Sequence, residues 1–116
     1  MPSYTVRSVI QWTRRQGQKK KFLYEERITA WTADSLDKAI DLAESEAKTY
    51  ASKEGFEALD LFQGFSLFDE VDFIPQGSEI FSLLRESDLD SNPYLDTFFD
   101  TGTERQTDYS PTTQKN

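Results

Sequence analysis

DSLDKAIDLAESEAKTYASKEG, residues 34–55, decides the fold. Asp34 or Ser35 can cap a helix start, because either side chain offers an oxygen to the free amides of a first turn. Asp37 adds negative charge where the helix dipole favours it. Leu36, Ala39, Ile40, Ala43, Ala47, Tyr50 and Ala51 then recur at helical spacing. Asp34–Lys38 and Glu44–Lys48 stand at i, i+4 with the acid first, the favourable order. Gly55 is a natural stop. The spacing predicts one helix over about 35–54. Its apolar stripe is mostly alanine, which allows close approach to a sheet.

Working outward toward the N-terminus, residues 22–31 alternate. Phe22, Tyr24, Glu26, Ile28 and Ala30 share one face, and Leu23, Glu25, Arg27, Thr29 and Trp31 the other. Residues 4–12 alternate too, with Tyr4, Val6, Ser8, Ile10 and Trp12 opposite Thr5, Arg7, Val9 and Gln11. Period two marks half-buried strands. Between them lie Arg14, Arg15, Gln16, Gly17, Gln18, Lys19, Lys20 and Lys21. Gly17 can take the positive φ of a tight turn, so the two strands read as a hairpin with a basic tip.

Beyond the helix, residues 56–68 are apolar and aromatic and are interrupted by Gly64. They read as one long strand bent at the glycine. Asp69, Glu70, Val71 and Asp72, then Pro75, Gln76 and Gly77, mark a loop. Residues 79–86, with Ile80, Phe81, Leu83 and Leu84, make a fourth strand. The fold class is therefore α+β, in the order ββαββ: a four-stranded, mostly antiparallel sheet with one long helix on one face. Docking the third strand beside the first makes the sheet wholly antiparallel, the arrangement preferred here. Residues 1–86 form the domain and 87–100 a linker with a short helix. Residues 101–116 are polar and poor in apolar side chains, the composition of a disordered tail.

One helix covers only one face. The other is expected to carry Val9, Leu23, Trp31 and several Phe side chains, too much apolar surface to leave wet. Either residues 94–99 fold back over it, with Tyr94, Leu95, Phe98 and Phe99 on one side of a helical turn, or a second copy covers it. A homodimer is the expectation.

The residues themselves exclude much chemistry. The 116-residue chain has no cysteine and no histidine. Disulfides, thiolate nucleophiles, zinc–sulfur sites and histidine general bases are ruled out. No apolar run approaches the roughly 18–20 residues of a membrane span, and the first residues lack the apolar stretch of a secretion signal. A cytoplasmic protein that stays off the membrane is expected. The net charge is −8, which disfavours general nucleic-acid binding. It is unevenly spread: residues 1–27 hold seven Lys and Arg against Glu25 and Glu26, and the remainder six basic against nineteen acidic groups.

Several of these stretches resemble a family. Tyr24-Glu25-Glu26-Arg27-Ile28 opens the second strand. Ala39, Ala43-Glu44 and Glu46-Ala47 follow in the helix, then Leu59-Asp60-Leu61-Phe62, and Gly77-Ser78-Glu79-Ile80-Phe81-Ser82-Leu83-Leu84 closes the pattern. This resembles the bacterial family called domain of unknown function 4288, over about residues 4–86. The resemblance implies the same order of elements. It implies no activity, no cofactor and no catalytic residue.

Four candidate sites emerge. Arg14, Arg15, Lys19, Lys20 and Lys21, with Trp12 nearby, could contact a partner: an acidic protein, or nucleic acid through phosphate contacts and aromatic stacking. Glu26, Arg27, Glu79 and Arg85 are candidates for structural ion pairs. Glu26, Glu79 or Asp60 could serve a carboxylate enzyme or metal site only if a fold brought two of them into one pocket. Asp69, Glu70 and Asp72 could offer oxygen ligands to a cation but read more simply as a turn. Asp88-x-Asp90-x-Asn92 begins like a calcium loop and fails at Pro93 and Phe99. The leading functional expectation is a non-enzymatic protein-interaction module without a cofactor. Nucleic-acid contact through the tip and a carboxylate-based site are its alternatives.

Overall fold

A computed structural model of the chain describes residues 1–54, 57–67 and 75–100. Strands β1 (Ser3–Trp12) and β2 (Phe22–Thr32) form the hairpin, and Gly17 takes a φ of 83° at its tip. Helix α1 spans Leu36–Glu54. Ser35 caps it, its Oγ accepting from the Lys38 amide at 3.1 Å. Lys48 donates to Glu44 at 2.9 Å along the exposed side. β3 (Glu57–Ala58), β4 (Gln63–Ser66) and β5 (Ser78–Ser87) follow, then α2 (Ser91–Tyr94) and a π-helical turn, Leu95–Phe99.

The sheet is antiparallel, in the order β3-β1-β2-β5, with β4 also on β1. It has five strands where four were expected. The long strand read over residues 56–68 is two short ones: β3 lies against Ile10 and Gln11, and β4 against residues 4–7. Between them the chain steps off the edge and sends Leu59 and Phe62 inward on opposite faces of the sheet. Gly64 does not bend the strand. It lies in β4 where a Cβ would stand 2.6 Å from Leu36 and 3.2 Å from Ile40, so the missing side chain lets α1 settle on the sheet.

The register Tyr4↔Trp31 fixes which residues lie under α1. Tyr4, Val6, Ile10 and Trp31 of the sheet meet Ala39, Ile40, Ala43, Ala47 and Ala51 of the helix. This corrects the expectation that Trp31 and Leu23 share the far face with Val9. Residues directly opposite in an antiparallel pair share a face, so Trp31 follows Tyr4, and Leu23 follows Trp12. Val9 does lie on the far face.

That face is covered by the chain itself. Val9, Tyr24 and Leu59 pack against Tyr94, Leu95 and Phe99 in a second buried cluster. Tyr94 stacks on Tyr24 with centroids 3.8 Å apart, and Asp90 caps α2 by accepting from the Ser91 amide at 2.7 Å. Residues 87–100 are thus a layer of the core and not a linker. The polar tail 101–116, the Gly55 stop and the acidic residues Asp69, Glu70 and Asp72 lie outside the described residues. No helix among those described is long and apolar enough to cross a membrane.

Candidate interaction surface

The basic tip is held by its own chain. Gln18 accepts from the Arg15 amide at 3.1 Å and donates to the carbonyls of Lys20 and Lys21 at 2.8 and 3.0 Å. Arg15 lies over the Trp12 ring at 3.7 Å. Glu86 of β5 accepts from the Lys19 and Lys20 amides at 2.8 and 3.0 Å, and Asp88 from that of Lys21 at 3.1 Å. Those two backbone bonds lower the Glu86 pKa. Backbone amides that could greet an incoming phosphate already hold carboxylates. What remains outward is the exposed side chains of Arg14, Arg15, Lys19, Lys20 and Lys21.

Under α1 the sheet carries a buried polar network. Arg27 is 3% exposed. It donates to both oxygens of Glu46 at 3.0 and 2.9 Å and to Glu79 at 2.7 Å. It also stacks on the Tyr50 ring at 3.8 Å. Burial opposes its charge, but Glu46 and Glu79 more than offset that and hold its pKa above the ordinary value. Beside it Glu25 accepts from Trp12 Nε1 at 3.2 Å, Tyr50 Oη at 2.8 Å and the Ser82 hydroxyl. Burial, then the bond to Glu25, pushes the Tyr50 pKa up to about 12. Sequence reasoning put Glu25 and Glu26 on opposite faces and singled out Glu26, not Glu25, for a structural ion pair. The register Tyr4↔Trp31 puts Glu25 and Arg27 beneath the helix.

Glu26 lies on the opposite face. It accepts from Arg85 at 2.9 Å and from Tyr94 Oη at 2.7 Å, with Arg7 at 3.8 Å. Burial and Glu26 together raise the Tyr94 pKa. Arg85 sits over Phe98 and Arg7 over Phe99. Two ion pairs therefore occupy two faces: Glu79 with Arg27, and Glu26 with Arg85. The sheet separates Glu26 from Glu79. Asp60 lines a third place, an open cleft of about 600 Å³ with Glu57, Leu61, Leu95 and Asp96. The condition for a carboxylate enzyme site, two of these three in one pocket, is not met. Among the described residues no three acidic groups are placed to hold a metal ion.

The remaining feature is β5. It ends the sheet, paired to β2 on one side, and no described strand pairs with its other side. Ile80, Phe81, Leu83 and Leu84 are 49%, 49%, 37% and 45% exposed. Phe81 and Leu83 share the face of their partners Ile28 and Glu26, and Leu84 that of Glu25. Both faces of the edge are thus apolar. Phe98 on the far face adds to the same exposed apolar surface. Free edges are ordinarily short or charged, because their unpaired backbone groups template another strand. The signal was in the sequence: adjacent apolar pairs on each side of Ser82 break the alternation expected of a strand with one wet face.

Comparison with known proteins gives no lead: no family model, no curated protein and no solved structure matches the chain.

Proposed function

We propose that this chain is a non-enzymatic protein-binding module whose working surface is the free edge of β5. The supporting observation is the ten-residue edge strand with four large apolar side chains outward on both faces. Strand addition recognises a partner by main-chain hydrogen bonds and uses alternate side chains for selectivity. Kinship with domain of unknown function 4288 belongs to the same proposal and adds no activity to it. Nucleic-acid contact through the tip is the weaker reading, since Glu86 and Asp88 already take the tip amides.

The test is a fluorescently labelled ten-residue strand peptide, with the sequence of residues 78–87, titrated with the full chain at low micromolar concentration. Saturable binding that is lost in Leu83→Lys is expected. Binding that ignores this substitution, or no binding by a chain that is monomeric at that concentration, refutes the edge as the working surface.

A further inference from the structure

Resting on that reading, we infer that the occupant of the β5 edge is a second copy of this chain, paired antiparallel about a two-fold axis at Ser82. The strand is self-complementary about that residue. Ile80-Phe81 precedes Ser82 and Leu83-Leu84 follows it, with Glu79 before and Arg85 after. An isologous contact brings each residue against its mirror position in the other copy. Centred on Ser82, Phe81 meets Leu83 of the second copy and Ile80 comes opposite Leu84, so the apolar pairs fall on one another.

Other registers are worse. Opposed residues must share a face, which leaves only pairings centred on a residue. Centring on Leu83 sets Phe81 against Arg85 and Ile80 against Glu86. Centring on Phe81 sets Glu79 against Leu83. Each places charge on apolar surface and forfeits the desolvation of the apolar set. Only the Ser82 centre matches apolar with apolar throughout. A register shift between Ile28 and Thr29 turns Glu79 toward the α1 face. Glu79 and Arg85 of the joined copies therefore lie on opposite faces, and the contact rests on the apolar pairs.

The polar tail is a poor rival, since residues 101–116 contain Tyr109 as their one large apolar side chain, too little to cover four. With two copies joined, the sheets run into one, both α1 helices lie on the same side, and the exposed apolar residues of each copy cover those of the other. Such an interface is small, in the range of weak, concentration-dependent dimers.

Sedimentation equilibrium of the full chain from low to high micromolar concentration reads this directly. The mass should rise toward twice that of the monomer, and Leu83→Lys should stay monomeric with an unchanged circular dichroism spectrum. The chain has no cysteine, so single-cysteine variants are clean reporters. At the axis, Cα atoms of opposed residues are about 4.5–5.5 Å apart, within the roughly 4.4–6.8 Å a disulfide spans. Mild oxidation should therefore link Ser82→Cys into a covalent dimer. Glu79→Cys should not link, since six residues separate the two positions along the shared ladder, about 20 Å.

A chain that stays monomeric but still binds the labelled peptide overturns the second copy and leaves the edge reading standing. A monomer that binds no peptide overturns both. A dimer unaffected by Leu83→Lys, or linked as readily through position 79 as through position 82, places the contact elsewhere and overturns the proposal. Should Ser82→Cys fail to fold, because its hydroxyl serves Glu25, the Leu83→Lys comparison decides alone.

Discussion

Replacing Phe99 with alanine should unfold the second layer and cost most of a small protein's margin of stability. Phe99 has no exposed surface. Its ring is packed with Tyr24, Leu59 and Tyr94 and lies beneath Arg7 at 4.5 Å. Its carbonyl accepts from Gln63 Nε2 at 3.0 Å. Truncating a buried Phe to Ala costs about 3–5 kcal/mol, the transfer term plus the cavity left behind. With a urea slope of about 1.5 kcal/mol per molar for a domain this size, the midpoint should fall by about 2–3 M. Phe98, next in the chain, is the control. It is 36% exposed and touches Arg85 and Tyr94 from outside, so Phe98→Ala should cost only about 1 kcal/mol. Urea titrations followed by circular dichroism measure both. Similar costs for the two variants, or a Phe99→Ala cost under about 1 kcal/mol, would show that residues 94–99 are not a core layer.

Glu25→Gln keeps the shape but puts an amide donor among the three donors from Trp12, Tyr50 and Ser82. A loss of about 1–3 kcal/mol is expected, or about 4–12 °C in melting temperature, and no change in melting would refute the network. Gly77→Ala should destabilise as well, since Gly77 has φ 79° and a Cβ there would stand 3.0 Å from the Trp31 ring; thermal melts again decide. The Tyr50 phenol is raised from about 10 to about 12 in the folded chain. A folded pKa above the unfolded one stabilises fully below pH 10 and is lost between pH 10 and 12, so wild type should lose stability across that window and Tyr50→Phe should lose less. Glu86→Ala should speed hydrogen exchange at the Lys19 and Lys20 amides while leaving that of β1 unchanged, and equal protection in both proteins would refute the brace on the tip.

Residues 34–55 made the helix legible because cap, spacing and small-residue stripe agree, and α1 begins one residue after its expected cap, Ser35. The alternation of residues 4–12 and 22–31 gave the right partition of each strand, and the preferred docking of the third strand beside the first holds. What periodicity could not supply was register. Without Tyr4↔Trp31 nothing in the alternation says whether Trp31 or Ala30 faces the helix, or whether Glu25 or Glu26 is the carboxylate beneath it. The division into β3 and β4 was hidden for another reason. Residues 56–68 hold eight apolar side chains without a strict period of two, and such a run does not reveal that Leu59 and Phe62 leave the edge to opposite faces. The edge of β5 was visible as a broken alternation, but only its place at the end of the sheet turns those side chains into a surface.

The two borders of the sheet differ in kind. On the β1 side lie β3 and β4, two and four residues long, separated by the step through Leu59 and Phe62. Neither offers a straight run of backbone long enough to seat a strand. The β5 side offers ten residues without interruption by another element. Among the described residues the sheet therefore has a valence of one. Whatever adds to it adds once, and two copies that meet there leave no comparably long border, among those residues, from which a third could grow. A chain this rich in exposed apolar edge should thus stop at a pair and not run on into a fibre.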